Sequence, residues 1–416
     1  MEYPKIRPIS AFPLEIPEGQ FICLQDPHRY AENPVFVAPE TFAVIQFFDG
    51  RHTVKDIQDA YMRQYGMLVH AEQIQQIVEQ LDQYFLLESP TFFAHVKHLR
   101  AEFASQPVRL SSHKGAAYPD KREALCQQLA AYFTDARGPG AVPQARSDSE
   151  PSTLKAIMAP HIDLNAGGPT YAWAHQALAA SDADLFVILG TSHVEMRNFF
   201  ALTRKSFETT FGKVATEQPF VEALADRLSY DSFEDELIHK TEHSIEFQLV
   251  FLQYLRQQLG RTDTPMTIVA MLCGGAMHEA IVGNRPVEDV SQLEESIRGL
   301  QAVLEQYPGA CVIASVDFSH VGLRYGARQS PNTAQLATVE RTDRTLLAAM
   351  EQGDHQSFVN HLHQNRNATQ VCGVVPIYTL LRVLDGAQGT LLHYDRAELG
   401  SGSFVSFASM AWNAAV

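Results

Sequence analysis

The spacing of apolar positions changes character along the chain. Up to about residue 90 the apolar side chains recur at helical spacing. Thr53 reads as the N-cap of a helix over 54–65. A second helix covers about 70–85, with Ile74, Ile77, Val78, Leu81 and Phe85 on one face. Leu86-Leu87-Glu88 then reads as a short strand. Residues 91–112 read as a connector, 122–133 as a helix, and 137–152, rich in Gly, Pro, Ser and charge, as a surface loop. From residue 153 short apolar runs at 154–158, 185–189, 267–272 and 311–316 alternate with helical stretches such as 171–180 and 220–228. That alternation predicts a central, largely parallel sheet with helices on both faces. Strands of either direction are expected at 389–394 and 403–408. The chain therefore reads as α/β, with a small winged-helix-like domain over 1–95, a linker over 96–111 and the α/β domain over 112–416.

Composition narrows the function classes. Hydrophobic residues make up 45% of the 416 and charged residues 19%, ordinary values for a globular chain with a full core. The formal net charge is −16, and residues 1–95 alone carry 13 acidic against 6 basic side chains. Nucleic acid and anionic membrane both select for basic patches, so neither is expected as a partner. No apolar run reaches the roughly 18 residues of a membrane span, and Met1-Glu2-Tyr3-Pro4-Lys5 lacks a signal-peptide layout. The five Cys are dispersed, without a CxxC pair, which fits a reducing cytoplasm. P-loop, GxGxxG, GxSxG and HExxH motifs are absent.

In open α/β sheets ligands bind beyond the carboxyl ends of the strands. Run 154–158 is followed by Ala159-Pro160-His161, run 185–189 by Gly190-Thr191-Ser192-His193, and run 311–316 by Asp317-Phe318-Ser319-His320. The fourth is followed by Cys273-Gly274-Gly275. A lone His after a strand is more often packed or capping than a ligand, and the chain holds 17 His. Three in one topological position are harder to dismiss, because imidazoles on a rigid rim make a ready metal site. His243 stands in Glu242-His243-Ser244-Ile245-Glu246, ahead of a helix for which Thr241 is the expected N-cap. On spacing alone these are ordinary helix-start residues. Cys372 precedes a helix carrying Pro376 in its first turn, a position that lowers a thiol pKa. A buried free Cys is more often a small hydrophobe, and Cys273 competes as a ligand.

These residues resemble a family. Met158-Ala159-Pro160-His161-Ile162-Asp163 with Gly167-Gly168, Leu189-Gly190-Thr191-Ser192-His193, Glu242 to Leu249, Ser315 to Gly322, and Cys372-Gly373 with Pro376-Ile377 look like the Memo family, called AmmeMemoRadiSam system protein B in bacteria and archaea. The match runs in family order over about 112–416. It implies a fold similar to class III extradiol dioxygenases, which hold non-haem iron. By resemblance His161, His193 and Cys372 are metal ligands, with Cys372 in the carboxylate position. His320, His243 and Asp317 form the catalytic set, and Asp317 and Asp163 orient the imidazoles. The segment that ends in Asp in the family here ends in Glu217, which puts a pocket Asp in doubt. The thiolate favours iron or copper, with zinc as a further option.

Residues 1–95 are similar, through Phe47-Phe48-Asp49-Gly50, Thr53-Val54 and the last helix, to the PqqD-like winged helix that accompanies radical SAM systems. Three readings of the function arise from these resemblances: a metal-dependent redox enzyme, an extradiol-type dioxygenase, and a non-catalytic binding module. Zinc-dependent hydrolysis also fits the ligand set. The expected partners are a radical SAM protein, an AMMECR1-like protein, and a small-molecule or peptide substrate.

Overall fold

The computed structural model describes residues 1–16, 19–31, 33–145, 152–400 and 402–414. Of the loop expected over 137–152, residues 146–151 lie outside the described residues. The chain divides between Ser105 and Gln106 into two compact units.

The first unit opens with an antiparallel sheet of β1 (Ser10–Ile16), β2 (Gly19–Gln25) and β3 (Val35–Val37), followed by α1 (Pro39–Ile45), α2 (Val54–Tyr65), α3 (Ala71–Gln83) and α4 (Pro90–Ser105). Thr53 caps α2 reciprocally with Asp56, and left-handed Gly66 ends it. Leu24, Ile57, Ile74 and Leu87 are fully buried in its core. The short strand expected at 86–88 is one bridge, Leu87 with Ile6. The expected linker over 96–111 is not extended chain. After Pro90 nothing breaks the helical run, and α4 continues to Ser105, burying Phe92 and Phe103 three turns apart.

The second unit begins with β4 (Val108–Arg109) and α5 (Arg122–Thr134). Next come β5 (Leu154–Ala159), α6 (Leu164–Leu178), β6 (Leu185–Thr191), β7 (Phe200–Leu202), β8 (Ser206–Thr209), β9 (Gly212–Thr216), α7 (Gln218–Ala225) and α8 (Glu246–Gln258). The remainder is β10 (Thr267–Cys273), α9 (Met277–Val282), α10 (Leu293–Leu304), β11 (Cys311–Ser315), β12 (His320–Gly322), α11 (Thr333–Glu351), α12 (His355–Asn365), α13 (Val374–Val383), β13 (Gly389–Glu398) and β14 (Ser403–Asn413). The sheet runs β12-β14-β5-β11-β6-β10-β9-β8-β4. Strands β5, β11, β6, β10 and β9 are parallel neighbours, and β14 adds antiparallel to β5 with β13 beyond it.

Alternation along the strands builds two cores. Met158, Leu189, Met271 and Ala314 face α7, α10, α12 and α13, while Ile157, Ile188, Ala270 and Ile313 face α5, α6 and α8. Full burial of each larger aliphatic side chain contributes about 1.5–3 kcal/mol. Helix α6 starts seven residues ahead of the expected 171. Gly167 and Gly168 lie inside it, where a Cβ would meet Ile162 at 2.4 Å and Tyr132 at 2.5 Å, so they serve close packing. Among the described residues no helix is long and apolar enough to cross a membrane.

A buried ion pair fixes the start of the second unit. Arg109, fully buried, pairs with Glu246 at the start of α8 and donates to the carbonyls of His239 and Glu242 at 2.8 Å each. Glu246 also accepts from Ser111 Oγ at 2.6 Å and Tyr118 OH at 2.7 Å. Burial opposes its charge, but Arg109, Ser111 and Tyr118 outweigh it and hold the carboxyl at about 2. A depressed folded pKa means that this stabilisation is complete above the ordinary value near 4.5 and is lost as pH falls toward 2. Glu246→Gln leaves Arg109 buried without a counter-charge and should cost roughly 3–5 kcal/mol in denaturant unfolding at neutral pH. The variant should also lose part of the acid dependence below pH 4.5. Unchanged unfolding would show that the pair does not hold this junction.

Candidate metal centre

Parallel neighbours ending in step place the residues just beyond them together. Register pairs Ser315 of β11 with Ala159 of β5 and with Gly190 of β6, so His161, His193 and Asp317 emerge on one rim. Cys372 reaches it from the turn before α13. That turn needs Gly373, since a Cβ there would lie 2.4 Å from Val316. One ligand atom each from His161, His193 and Cys372 lies within 4.8 Å of the other two.

Hydrogen bonds fix which ring nitrogen faces the centre. His161 is buried and donates Nδ1–H to the Ser315 carbonyl at 2.9 Å. Its Nε2 therefore carries the lone pair, 3.4 Å from Cys372 Sγ and 3.5 Å from Asp317 Oδ2. Burial, then the neighbouring His193, depress its pKa to about 3, so it is a neutral imidazole. His193 places Nδ1 at 3.0–3.1 Å from both oxygens of Glu242, which also accepts the His193 amide. Burial opposes protonation of His193, but the Glu242 carboxylate and Cys372 outweigh it and raise its pKa. Glu242 accepts the amides of His243 at 2.8 Å and Ser244 at 3.0 Å as well. Burial opposes its charge, yet the two imidazoles and the Ser244 amide hold it well below the usual carboxylate range.

His243 stacks on His193 with centroids 4.6 Å apart and Nδ1 3.2 Å from Glu242. Its ring also meets that of His161 edge-on at 5.5 Å. His320 turns Nδ1 to the carbonyls of Phe318 at 3.0 Å and Gln370 at 3.2 Å, leaving Nε2 as an acceptor. Burial lowers its pKa despite Asp317, so it stands as a neutral base. Asp317 Oδ1 accepts the amides of His161 and Ile162 at 3.0 and 3.3 Å, and burial raises its pKa to about 6. Beside the centre lies a cavity of about 590 Å³ lined by His193, Cys372, Met196, Cys273, His278 and Val375, among others.

Several expectations are corrected by the structure. Asp163 orients no imidazole; it accepts the Asn165 amide at 2.8 Å as the N-cap of α6. Thr241 does not cap the helix after His243, because α8 starts at Glu246 and its N-cap position is Ile245. Glu242, read as a helix-start residue, instead holds His193; the signal available was an acid directly beside a His. Glu217 follows β9, whose last residue Thr216 pairs with Ile268 near the start of β10, so it sits at the opposite end of the sheet. Burial raises the Cys372 thiol against the opposing pull of His193, where its place ahead of a helix suggests a lowered pKa. Cys273 lines the cavity but is not among the residues whose ligand atoms converge.

A doubly covered α/β sheet with two imidazoles and a thiol converging on its carboxyl rim defines a class of α/β proteins with a rim pocket. The family model described as Memo-like protein matches residues 109–411, and the chain belongs to that family. A MEMO1 family protein of Aquifex aeolicus is 28% identical over 413 residues, covering 98% of this chain and 99% of that one. MEMO1 family proteins of Thermus thermophilus and Methanopyrus kandleri are 26% and 27% identical over 83% and 70% of this chain, and 93% and 92% of their own. The Aquifex match thus includes the first unit.

Asp163→Ala should cost about 1 kcal/mol of thermal stability through loss of the α6 cap. A loss several times larger would show that Asp163 holds more than the helix start.

Proposed function

We propose that the chain is a metalloprotein that binds one iron or copper ion through His161, His193 and Cys372 and carries out redox chemistry. The observation that carries this reading is the convergence of two imidazole nitrogens and a thiol within 4.8 Å, with each ring oriented from behind by a hydrogen bond at Nδ1. The donor set fits such an ion. Two imidazole nitrogens and one sulfur are soft enough for iron or copper and too few and too soft for calcium or magnesium. When bound, the metal would supply electron transfer and open coordination positions. The chain's own residues would do the rest. Ser315 and Glu242 fix the imidazoles, Asp317 holds the loop of His161, and His320, a neutral base with Nε2 free to accept, would take up a proton.

The resemblance to extradiol dioxygenases favours a dioxygenase as a second activity, with the thiol in the carboxylate place as the point against it. The first unit supports a docking role toward a radical SAM protein or an AMMECR1-like protein. Its outer sheet face leaves Phe12 and Phe36 exposed on either side of Cys23. Co-purification with such a partner, lost in Phe12→Ser/Phe36→Ser, would support docking.

Elemental analysis of anaerobically purified protein tests the centre. Near-stoichiometric iron or copper is expected in the wild type and none in His161→Ala or Cys372→Ser. Glu242→Gln should weaken metal affinity on the order of 10–100-fold while the fold is retained. Metal content unchanged in all three variants would sink the site, and stoichiometric zinc would redirect the reading from redox to hydrolytic chemistry.

A further inference from the structure

Another cavity of the α/β unit lies at the other end of the sheet, beside the start of β10. It encloses about 490 Å³ and is lined by Arg122, Phe211, Lys213, Arg256, Thr264 and Met266, among others. Its position is set by β9, α5, α8 and the loop that leads into Thr267 of β10. His161, His193 and Asp317 lie at the opposite rim of the same sheet, beyond the carboxyl ends of β5, β6 and β11.

Three cations from three different elements line this cavity and no carboxylate does, in a chain with 48 acidic and 32 basic residues. Arg256 is buried and satisfied. It pairs with Asp184 at 2.6 Å and donates to the Thr264 carbonyl at 2.8 Å and the Arg261 carbonyl at 3.1 Å. It therefore forms a fixed wall. Arg122 and Lys213 differ: both are exposed, and neither has an ion-pair partner among the described residues. Arg122 uses one nitrogen on Gln257 Oε1 at 2.6 Å and lies 5.5 Å from the Phe211 ring centre. Glu208 stands opposite Lys213 in the β8–β9 ladder but does not line the cavity, and the two like charges at its mouth repel each other, a cost that an anion between them removes. The rest of the lining, Phe211, Val214, Pro265 and Met266, is apolar.

We infer that this cavity binds a small organic anion, an apolar body carrying one phosphate or carboxylate group. Arg122 and Lys213 hold the anionic group, and Phe211 and Met266 pack against the body. The site is independent of the metal centre and of the redox reading.

Isothermal titration at low ionic strength with phenyl phosphate, phenylacetate and phenol tests this. One equivalent of phenyl phosphate or phenylacetate should bind, and which of the two binds more tightly identifies the anionic group. Phenol should bind far more weakly. Added salt should weaken the interaction. Arg122→Gln/Lys213→Gln should reduce affinity on the order of tenfold or more, with an unchanged thermal midpoint. His161→Ala should bind as the wild type does, which separates this cavity from an anion captured by a metal. No binding of either anion, equal binding of phenol, or affinity insensitive to the double substitution would overturn the assignment.

Discussion

The carbonyl of Ser315 is the point on which the rim of the sheet depends. Strand β11 ends there, buried between β5 and β6, and a buried carbonyl must find donors. It accepts from His161 Nδ1 and from Thr191 Oγ1, both at 2.9 Å. The Ser315 hydroxyl donates to the Ser244 carbonyl at 2.5 Å and accepts from Gln248 Nε2 at 2.8 Å. Gln248 also donates to the Pro160 carbonyl at 2.7 Å, and Ser244 Oγ to the Thr191 carbonyl at 2.9 Å. The ends of three parallel strands and the start of α8 are thereby one connected set of buried polar groups. These bonds fix the plane and tautomer of His161 and, through the 242–244 turn, the position of Glu242 behind His193. Pairing of this kind is costly to break, because each orphaned group stays out of water.

Steric and electrostatic constraints converge on the same turn. A Cβ at Gly190 would lie 2.8 Å from Ile245 and 2.9 Å from Ser244 Oγ, so only glycine lets the turn sit on the end of β6. Glu242 and Glu246 then face opposite duties four residues apart. One takes the imidazole side, and the other takes Arg109, Ser111 and Tyr118. Arg109 also donates to the Glu242 carbonyl at 2.8 Å, which couples the anchoring of the first strand of the unit to the residue that orients His193.

The fold was legible where burial imposes a period. Parallel strands covered on both faces must be apolar throughout, and the runs at 154–158, 185–189, 267–272 and 311–316 coincide with observed strands. His161, His193 and His320 were visible because topology alone puts the residues just past the ends of such strands on one rim. Less was legible where a local signal served a tertiary purpose. Gly167-Gly168-Pro169 has the composition of a break, yet it is the interior of α6, because the glycines admit Ile162 and Tyr132. Asp163 looks like a His partner, and its side chain closes a helix start one residue on. Glu242 looks like a first-turn acid, and tertiary contact converts it into the partner of His193. Sheet β1–β3 carries no strong alternation, and Pro13 is tolerated in β1 because that strand is at the edge.

Cys372 shows how far position alone can mislead about chemistry. A thiol ahead of a helix gains from the amides there, and that argument lowers its pKa. The same packing that brings Gly373 against Val316 also takes the sulfur out of water, and desolvation of an anion is the larger effect. The Cys372 thiol, its pKa raised by burial, lies 3.4 Å from Nε2 of the neutral His161. On the proposed reading Cys372 would hold the metal as a thiolate, so metal binding would be coupled to loss of its proton. Affinity would then be set by the orientation of His161 and His193, which their hydrogen bonds at Nδ1 already fix, and by the cost of ionising Cys372, which His193 offsets in part.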